Sequence, residues 1–231
     1  MPSSRFERAA RQAGFRVIAG LDEAGRGALF GPVFAGAVVL DPARQIRGLD
    51  DSKALPPDRR AVLAVRIRER ALAWGVGAAD VYEIDRVNIY QASRLAMSRA
   101  LEKVNGQLRA KSLAPCDYLL LDAMKLDVAI EQKSLIHGDA RSFSIAAASI
   151  LAKVHRDQVL CQWDRVFPEY CLASNKGYGT PEHYSALDCL GPTALHRFSF
   201  EPVRLATPLA HWTGYPLLKP VPEQSELFPC P

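Results

Sequence analysis

Cysteine is sparse in this 231-residue chain and never takes a ligand-like spacing: Cys116, Cys161, Cys171, Cys189 and Cys230 are odd in number, scattered, and nowhere form CxxC. That pattern excludes a disulfide framework and a zinc knuckle and points to a reducing compartment. Long apolar runs are missing as well, since the stretch 144–152 is far short of the roughly 20 residues that cross a bilayer. The start, MPSSRFERAARQAGFR, has no apolar core of a secretory leader, so a cytoplasmic protein without membrane partners is expected. Charge of one sign is not in large excess either. A net charge of +4 is too small for a histone-like packing protein, and no internal repeat is visible.

What is present is a composition near the globular average, 48% hydrophobic and 23% charged, enough to bury a sizeable core. At about 100–200 residues per domain, one large domain with an appendage is expected. Arginines gather at Arg5, Arg8, Arg11 and Arg16 and again at Arg59, Arg60, Arg66, Arg68 and Arg70. Each cluster reads either as a solvated helix face or as a surface that meets phosphates.

Hydrophobic patterning places short strands at 17–21 and 33–40, separated by the glycine-rich DEAGRGALFGP. A basic helix follows over 59–72, a strand over 74–78, and a helix from about Asp85, its candidate cap, with Met97, Leu101, Val104 and Leu108 at helical spacing. The run DYLLL at 117–121 predicts a buried strand ending at Asp122, with a fifth strand near 132–136. The longest helix is expected from Arg141 to about Phe167, and its small residues Ala146, Ala147, Ala148 and Ser149 should let its backbone approach a neighbour closely. Thr180, Pro181 and Glu182 open a last helix over 184–190. Strands mixed with helices imply an α/β layered domain with helices on both faces of the sheet. Beyond Pro202 the periodicity ends and prolines multiply, so residues 1–202 are expected to form the domain and 203–231 a Pro-rich tail.

Three carboxylates stand where strands end. Asp22 and Glu23 are adjacent, and Asp122 would meet them if the two strands are neighbours, giving an oxygen-only cluster suited to Mg²⁺ or Mn²⁺. A fourth acid has two candidates, Asp139 and Asp157, which eighteen residues of helix would hold roughly 27 Å apart. The glycines at 25, 27 and 31 come close to a dinucleotide-binding loop, but such a loop must open a helix and here it leads into a strand. The histidines His137, His155, His183, His196 and His211 share no metal-ligand spacing and are read as structural or surface.

Five ordered blocks, DEAGRGALFGPV, DSK at 51–53, LLLDAM around Asp122, GDARSFSIAAASILAKVHRD from Gly138, and GYGT at 177–180, resemble the bacterial ribonuclease HII family over residues 17–202. Departures are small: Ala28 and Phe30 stand where Pro and Ala are common, and Ala123 replaces a frequent Gly. The resemblance implies an RNase H-like fold, a central mixed sheet flanked by helices with a small helical C-terminal region. It also implies a catalytic and metal-binding set of Asp22, Glu23, Asp122 and Asp139, leaving Asp157 to a helix-surface ion pair. Two divalent cations, Mn²⁺ or Mg²⁺, would then serve hydrolysis of the RNA strand of RNA/DNA hybrids and cleavage 5′ to ribonucleotides embedded in duplex DNA.

By the same resemblance, backbone groups of Gly25, Arg26 and Gly27 sense the 2′-hydroxyl, and Tyr178 packs on the following deoxyribose. Lys53, Arg141, Lys153 and Lys176 are candidate phosphate contacts and Ser52 a hydroxyl partner. In the tail, QSELF at 224–228 is similar to a bacterial sliding-clamp motif, in which Gln224, Leu227 and Phe228 would enter the partner's pocket. Rival readings are a ribonuclease HIII-like enzyme, a catalytically inactive hybrid-binding module, and a nucleotide-cofactor oxidoreductase.

Overall fold

A computed structural model describes residues 2–207. Strands β1 (Ile18–Ala24), β2 (Val33–Val39) and β3 (Ala73–Ala79) form an antiparallel meander. Strands β4 (Tyr118–Asp122) and β5 (Glu131–Leu135) run parallel to β1 on its other side, giving one sheet in the order β3-β2-β1-β4-β5. The expected mixed sheet is present, with β1 at its centre. Alternation along β1 and β2 sends Ala19, Leu21, Val33, Ala35 and Ala37 to one face, where they pack on Met97, Ala100 and Val104 of α3 (Val81–Ala110). Phe34 and Val38 face the other way, toward α2 (Pro57–Arg70) and α4 (Phe143–Asp164).

The close approach expected of α4 is realised by bare backbone on both sides. A Cβ on Gly20 would lie 2.1 Å from the Ser144 carbonyl carbon, and one on Gly36 would lie 2.2 Å from the Ala148 carbonyl oxygen. Only glycine fits there, so α4 settles directly on the centre of the sheet. A third cluster, including Leu29, Phe30, Leu160, Tyr170, Leu187 and Val203, ties the glycine-rich loop to α4 and to the C-terminal helices α5 (Leu172–Asn175), α6 (Pro181–Leu190) and α7 (Glu201–Leu205).

Two local expectations are corrected. Asp85 does not cap α3. Asp80 does, its carboxylate accepting from the Glu83 amide at 2.8 Å while Glu83 accepts from the Asp80 amide at 3.0 Å, a reciprocal box that outcompetes a later start. Asp85 instead accepts from the Phe198 and Ser199 amides, pinning the C-terminal segment. The path of α3 breaks at Asn88, with φ 68°, and its side-chain oxygen accepts from the Gln91 amide to restart the helix, so α3 is two helices and α4, with twenty-two residues, is outrun by neither. The arginine-rich start forms a helix, α1 (Arg5–Gln12), in keeping with the helix-face reading of its charges. Finally, Pro202 lies inside α7 and Val203 is buried, so the boundary expected at 202 cuts a packed helix. The clamp-like segment with Gln224, Leu227 and Phe228 lies outside the described residues.

Candidate active site

The parallel pairing of β1 with β4 sets Leu21 opposite Leu121, so the next residues, Asp22 within β1 and Asp122 at the end of β4, stand side by side on adjacent strands. Strand β1 runs on to Ala24, which keeps both Asp22 and Glu23 within the sheet. Asp139 lies between β5 and α4, at the turn that brings the helix onto the same face. Each carboxylate has a local partner. Asp22 accepts from the Glu23 amide at 2.8 Å and has the Ser149 hydroxyl close enough to favour its charge, Asp122 accepts from the Gly138 amide at 2.7 Å, and Asp139 accepts from the Ala140 amide at 2.9 Å.

Charge is crowded here. Burial, then the Glu23 carboxylate and more weakly Asp122 and Asp139, push the Asp22 carboxyl well above the usual range, against the Ser149 hydroxyl. Burial also raises Glu23, opposed by Arg26, whose guanidinium lies 3.3 Å from Oε1. Burial raises Asp139, followed by Asp51 and Asp122, with Lys53 pulling the other way. Glu23 Oε2 is buried with no hydrogen-bond partner. Among the described residues no three His, Cys, Asp or Glu side chains are gathered tightly enough to cage a metal, because like charges spread apart and take separate amides. The donor set nevertheless fits a hard divalent cation: all ligating atoms are oxygens, one is orphaned, and the buried charge needs a counter-ion.

Beside the acids, Gly25 to Ala28 form a tight turn with Gly25 at φ +93°. Tyr178 lies against it, since a Cβ on Gly27 would sit 4.0 Å from the Tyr178 ring. The structure therefore brings Gly25, Arg26, Gly27 and Tyr178 together at the edge of the carboxylates. Lys53 is close enough to Asp139 to act on its charge. Ser52 is buried and shares its hydroxyl with Ser149 at 2.9 Å, which makes it a support for Asp22.

The remaining basic candidates already have protein partners. Lys153 pairs with Asp157 at 2.7 Å, Lys176 donates to the Ala173 carbonyl, and Arg141 lies 5.1 Å from the Phe6 ring. Asp157 is the ion-paired helix residue expected, held also by Arg60 at 3.6 Å. The glycine loop leads into β2 and opens no helix, which removes the dinucleotide reading.

Several residues at the site escaped sequence reasoning. Ser149 was legible only as a small residue, although its hydroxyl serves Asp22. Glu7 on α1 accepts from the Ser142 and Ser144 hydroxyls at 2.6 and 2.7 Å and so fixes the start of α4 next to Asp139. Arg156 and Arg197 are fully buried beneath the turn. The buried His183 and His196 bond each other through their Nε2 atoms at 3.0 Å, and His183 Nδ1 bonds the Tyr178 carbonyl. At Ala123 the backbone is left-handed, φ 47°, which accounts for the position where the resembling family often has glycine.

A solved ribonuclease H2 from Pyrococcus horikoshii OT3 superposes with a TM-score of 0.70 over 83% of this chain and 97% of that one, at 23% identity. The ribonuclease HII in a solved PCNA:RNase HII complex from Archaeoglobus fulgidus gives a TM-score of 0.58 over 74% of this chain and 85% of that one, also at 23% identity. At that identity both likenesses establish the fold. In sequence, the chain is 59% identical over 208 residues to a ribonuclease HII of Solibacter usitatus (strain Ellin6076), covering 89% of this chain and 88% of the relative. The family model for Ribonuclease HII matches residues 19–203, a span that takes in all four acids and all of the sheet but Ile18, and the chain accordingly belongs to the ribonuclease HII family.

Proposed function

We propose that Asp22, Glu23, Asp122 and Asp139 are the catalytic set of this ribonuclease H type 2 hydrolase and hold divalent cations, Mg²⁺ or Mn²⁺, between them. The carrying observation is the juxtaposition of Asp22 and Asp122 on neighbouring parallel strands, with Asp22 buried among like charges beside a Glu23 oxygen that has no partner. The enzyme is an endoribonuclease of RNA/DNA hybrids, and the family depends on divalent metal. Held by these four carboxylates, a pair of such ions would supply activation of the attacking water and charge stabilisation at the leaving 3′-oxygen, for hydrolysis to 3′-hydroxyl and 5′-phosphate ends.

The chain's own residues orient the rest. Ser149, backed by Ser52, holds the Asp22 carboxylate, and the Gly138 amide holds Asp122. The turn of Gly25, Arg26 and Gly27, exposed at Arg26 and Gly27, reads the ribose through backbone groups, while Tyr178, 38% exposed, packs on the deoxyribose that follows. That arrangement favours a ribonucleotide followed by DNA and cleavage on its 5′ side. Lys53 lies next to the reacting phosphate, and Arg141, Lys153 and Lys176 meet flanking phosphates by releasing their present partners. The tail residues Gln224, Leu227 and Phe228 engage a sliding clamp, a reading supported by the motif and by the PCNA-bound relative.

A cleavage map on a duplex with one embedded ribonucleotide, run with Mn²⁺ and with chelator, tests the whole reading. A single metal-dependent cut 5′ to the ribonucleotide is expected, and a cut elsewhere or in chelator would overturn it. Calorimetry with a purified bacterial clamp tests the tail, and equal binding by a Leu227→Ala, Phe228→Ala double variant would sink that part alone.

A further inference from the structure

We infer that Arg197 is a positioning residue that aims the Gly27 amide at the substrate sugar, an inference that rests on the reading of Gly25, Arg26 and Gly27 as the ribose sensor. In the turn, the Gly25 carbonyl accepts from the Ala28 amide at 3.4 Å and the Arg26 carbonyl accepts from Arg197 Nη1 at 2.8 Å. Arg26 and Gly27 are exposed. The peptide between them is trans, so its carbonyl and the Gly27 N–H point in opposite directions. Pulling the Arg26 carbonyl toward the buried guanidinium therefore turns the Gly27 N–H outward, where a 2′-oxygen can accept from it.

Arg197 is itself immobilised. Its Nε donates to the Gly31 carbonyl at 2.9 Å, its own amide donates to the Leu29 carbonyl at 2.9 Å, and its guanidinium lies 5.2 Å from the Phe200 ring. It is wholly buried, yet Nη2 has no hydrogen-bond partner. A structural role alone would be met more cheaply by an apolar side chain, because a buried charge with an unmet donor costs stability. Arg156 reinforces the same turn from below. A Cβ on Gly25 would fall 2.1 Å from its Nε, and its guanidinium lies 5.2 Å from the Tyr178 ring, so the two arginines fix both halves of the sensor.

The test compares affinities, by fluorescence anisotropy in chelator, for a duplex carrying one ribonucleotide and for the all-DNA duplex of the same sequence. Wild type should prefer the ribonucleotide. In Arg197→Lys and Arg197→Met the preference should fall about tenfold, the loss of roughly one well-placed hydrogen bond, while all-DNA affinity changes less than twofold. A fold-stabilising role alone would lower both affinities together and leave their ratio intact, which would overturn the inference but spare the sensor reading. A wild type with no preference would overturn the sensor reading and this inference with it. Should neither variant fold, amide and guanidinium proton exchange in wild type decides the matter: the Arg197 Nε and Nη1 protons should exchange slowly with and without duplex, and exchange at solvent rates would refute the anchoring.

Discussion

Asp22 holds a carboxylate where burial and three other acids all disfavour its charge. Such a residue trades stability for function. Asp22→Asn and Asp122→Asn should each lower cleavage by more than 100-fold, since loss of a mere outer partner of a metal ligand already costs about 10–100-fold. Circular dichroism should be unchanged, and in metal-free buffer Asp22→Asn should unfold later than wild type, by about 1 kcal/mol or more, because the repelled charge is gone. Activity within a few-fold of wild type would remove the carboxylate from the catalytic set. Tyr178 works at the same scale but on the substrate. Tyr178→Ala should slow cutting at a single embedded ribonucleotide more than cutting within a continuous RNA strand, and equal losses on both would assign the ring to general binding.

Helix α4 carries Ser149 and follows Asp139, so the geometry of the site depends on how closely this helix meets the sheet. Gly36→Ala tests the contact. A methyl would have to displace the Ala148 carbonyl, now 2.2 Å from the Cβ position, and neither backbone can yield without lifting the helix. A loss of about 1–3 kcal/mol in denaturant melts is expected, with activity falling further than stability because Ser149 rides on the displaced turn. A neutral substitution would show that the helix floats free of the strand. Just past the end of β4, Ala123→Gly relieves the left-handed backbone and should add up to about 1 kcal/mol at unchanged activity.

Across the whole molecule, three imidazoles among the described residues, His155, His183 and His196, are buried and stay neutral in the fold. Burial lowers His183, lowers His155 to about 4 and lowers His196 to about 3. In the unfolded chain each titrates near 6.5. Below that value the unfolded state binds protons that the fold refuses, so this contribution is fully present above about pH 6.5 and is lost as the pH falls toward the folded values. His155→Phe removes one such proton. Its unfolding free energy should fall less steeply than wild type between pH 6 and pH 4.5, by about 1.4 kcal/mol per pH unit, the slope for one proton. Parallel pH profiles would mean that His155 is already protonated in the fold.

The strands were legible because buried segments such as YLLLD and VFAGAVV leave little else for so short an apolar run to do. Capping was less legible. Asp80 and Asp85 are equally good cap residues by type, and only the reach of Glu83 back to the Asp80 amide decides between them. The four acids were picked out by strand ends and the order of the motifs, and the basic residues by type and by lying in or beside those motifs, neither of which says that Lys153 faces Asp157 or that Arg141 lies on Phe6.

By itself the sequence determined the family, the mixed sheet and the absence of any apolar stretch able to form a membrane helix, and it singled out the four acids proposed as the catalytic set, because each is written in local pattern or in motif order. Tertiary structure alone decided which side chains serve others: Ser149 under Asp22, Glu7 at the start of α4, Arg197 behind the Gly27 amide, and His183 joined to His196. These pairings join residues up to 171 positions apart, and hydrogen-bond geometry between distant segments exists only once the sheet and α4 have closed on each other.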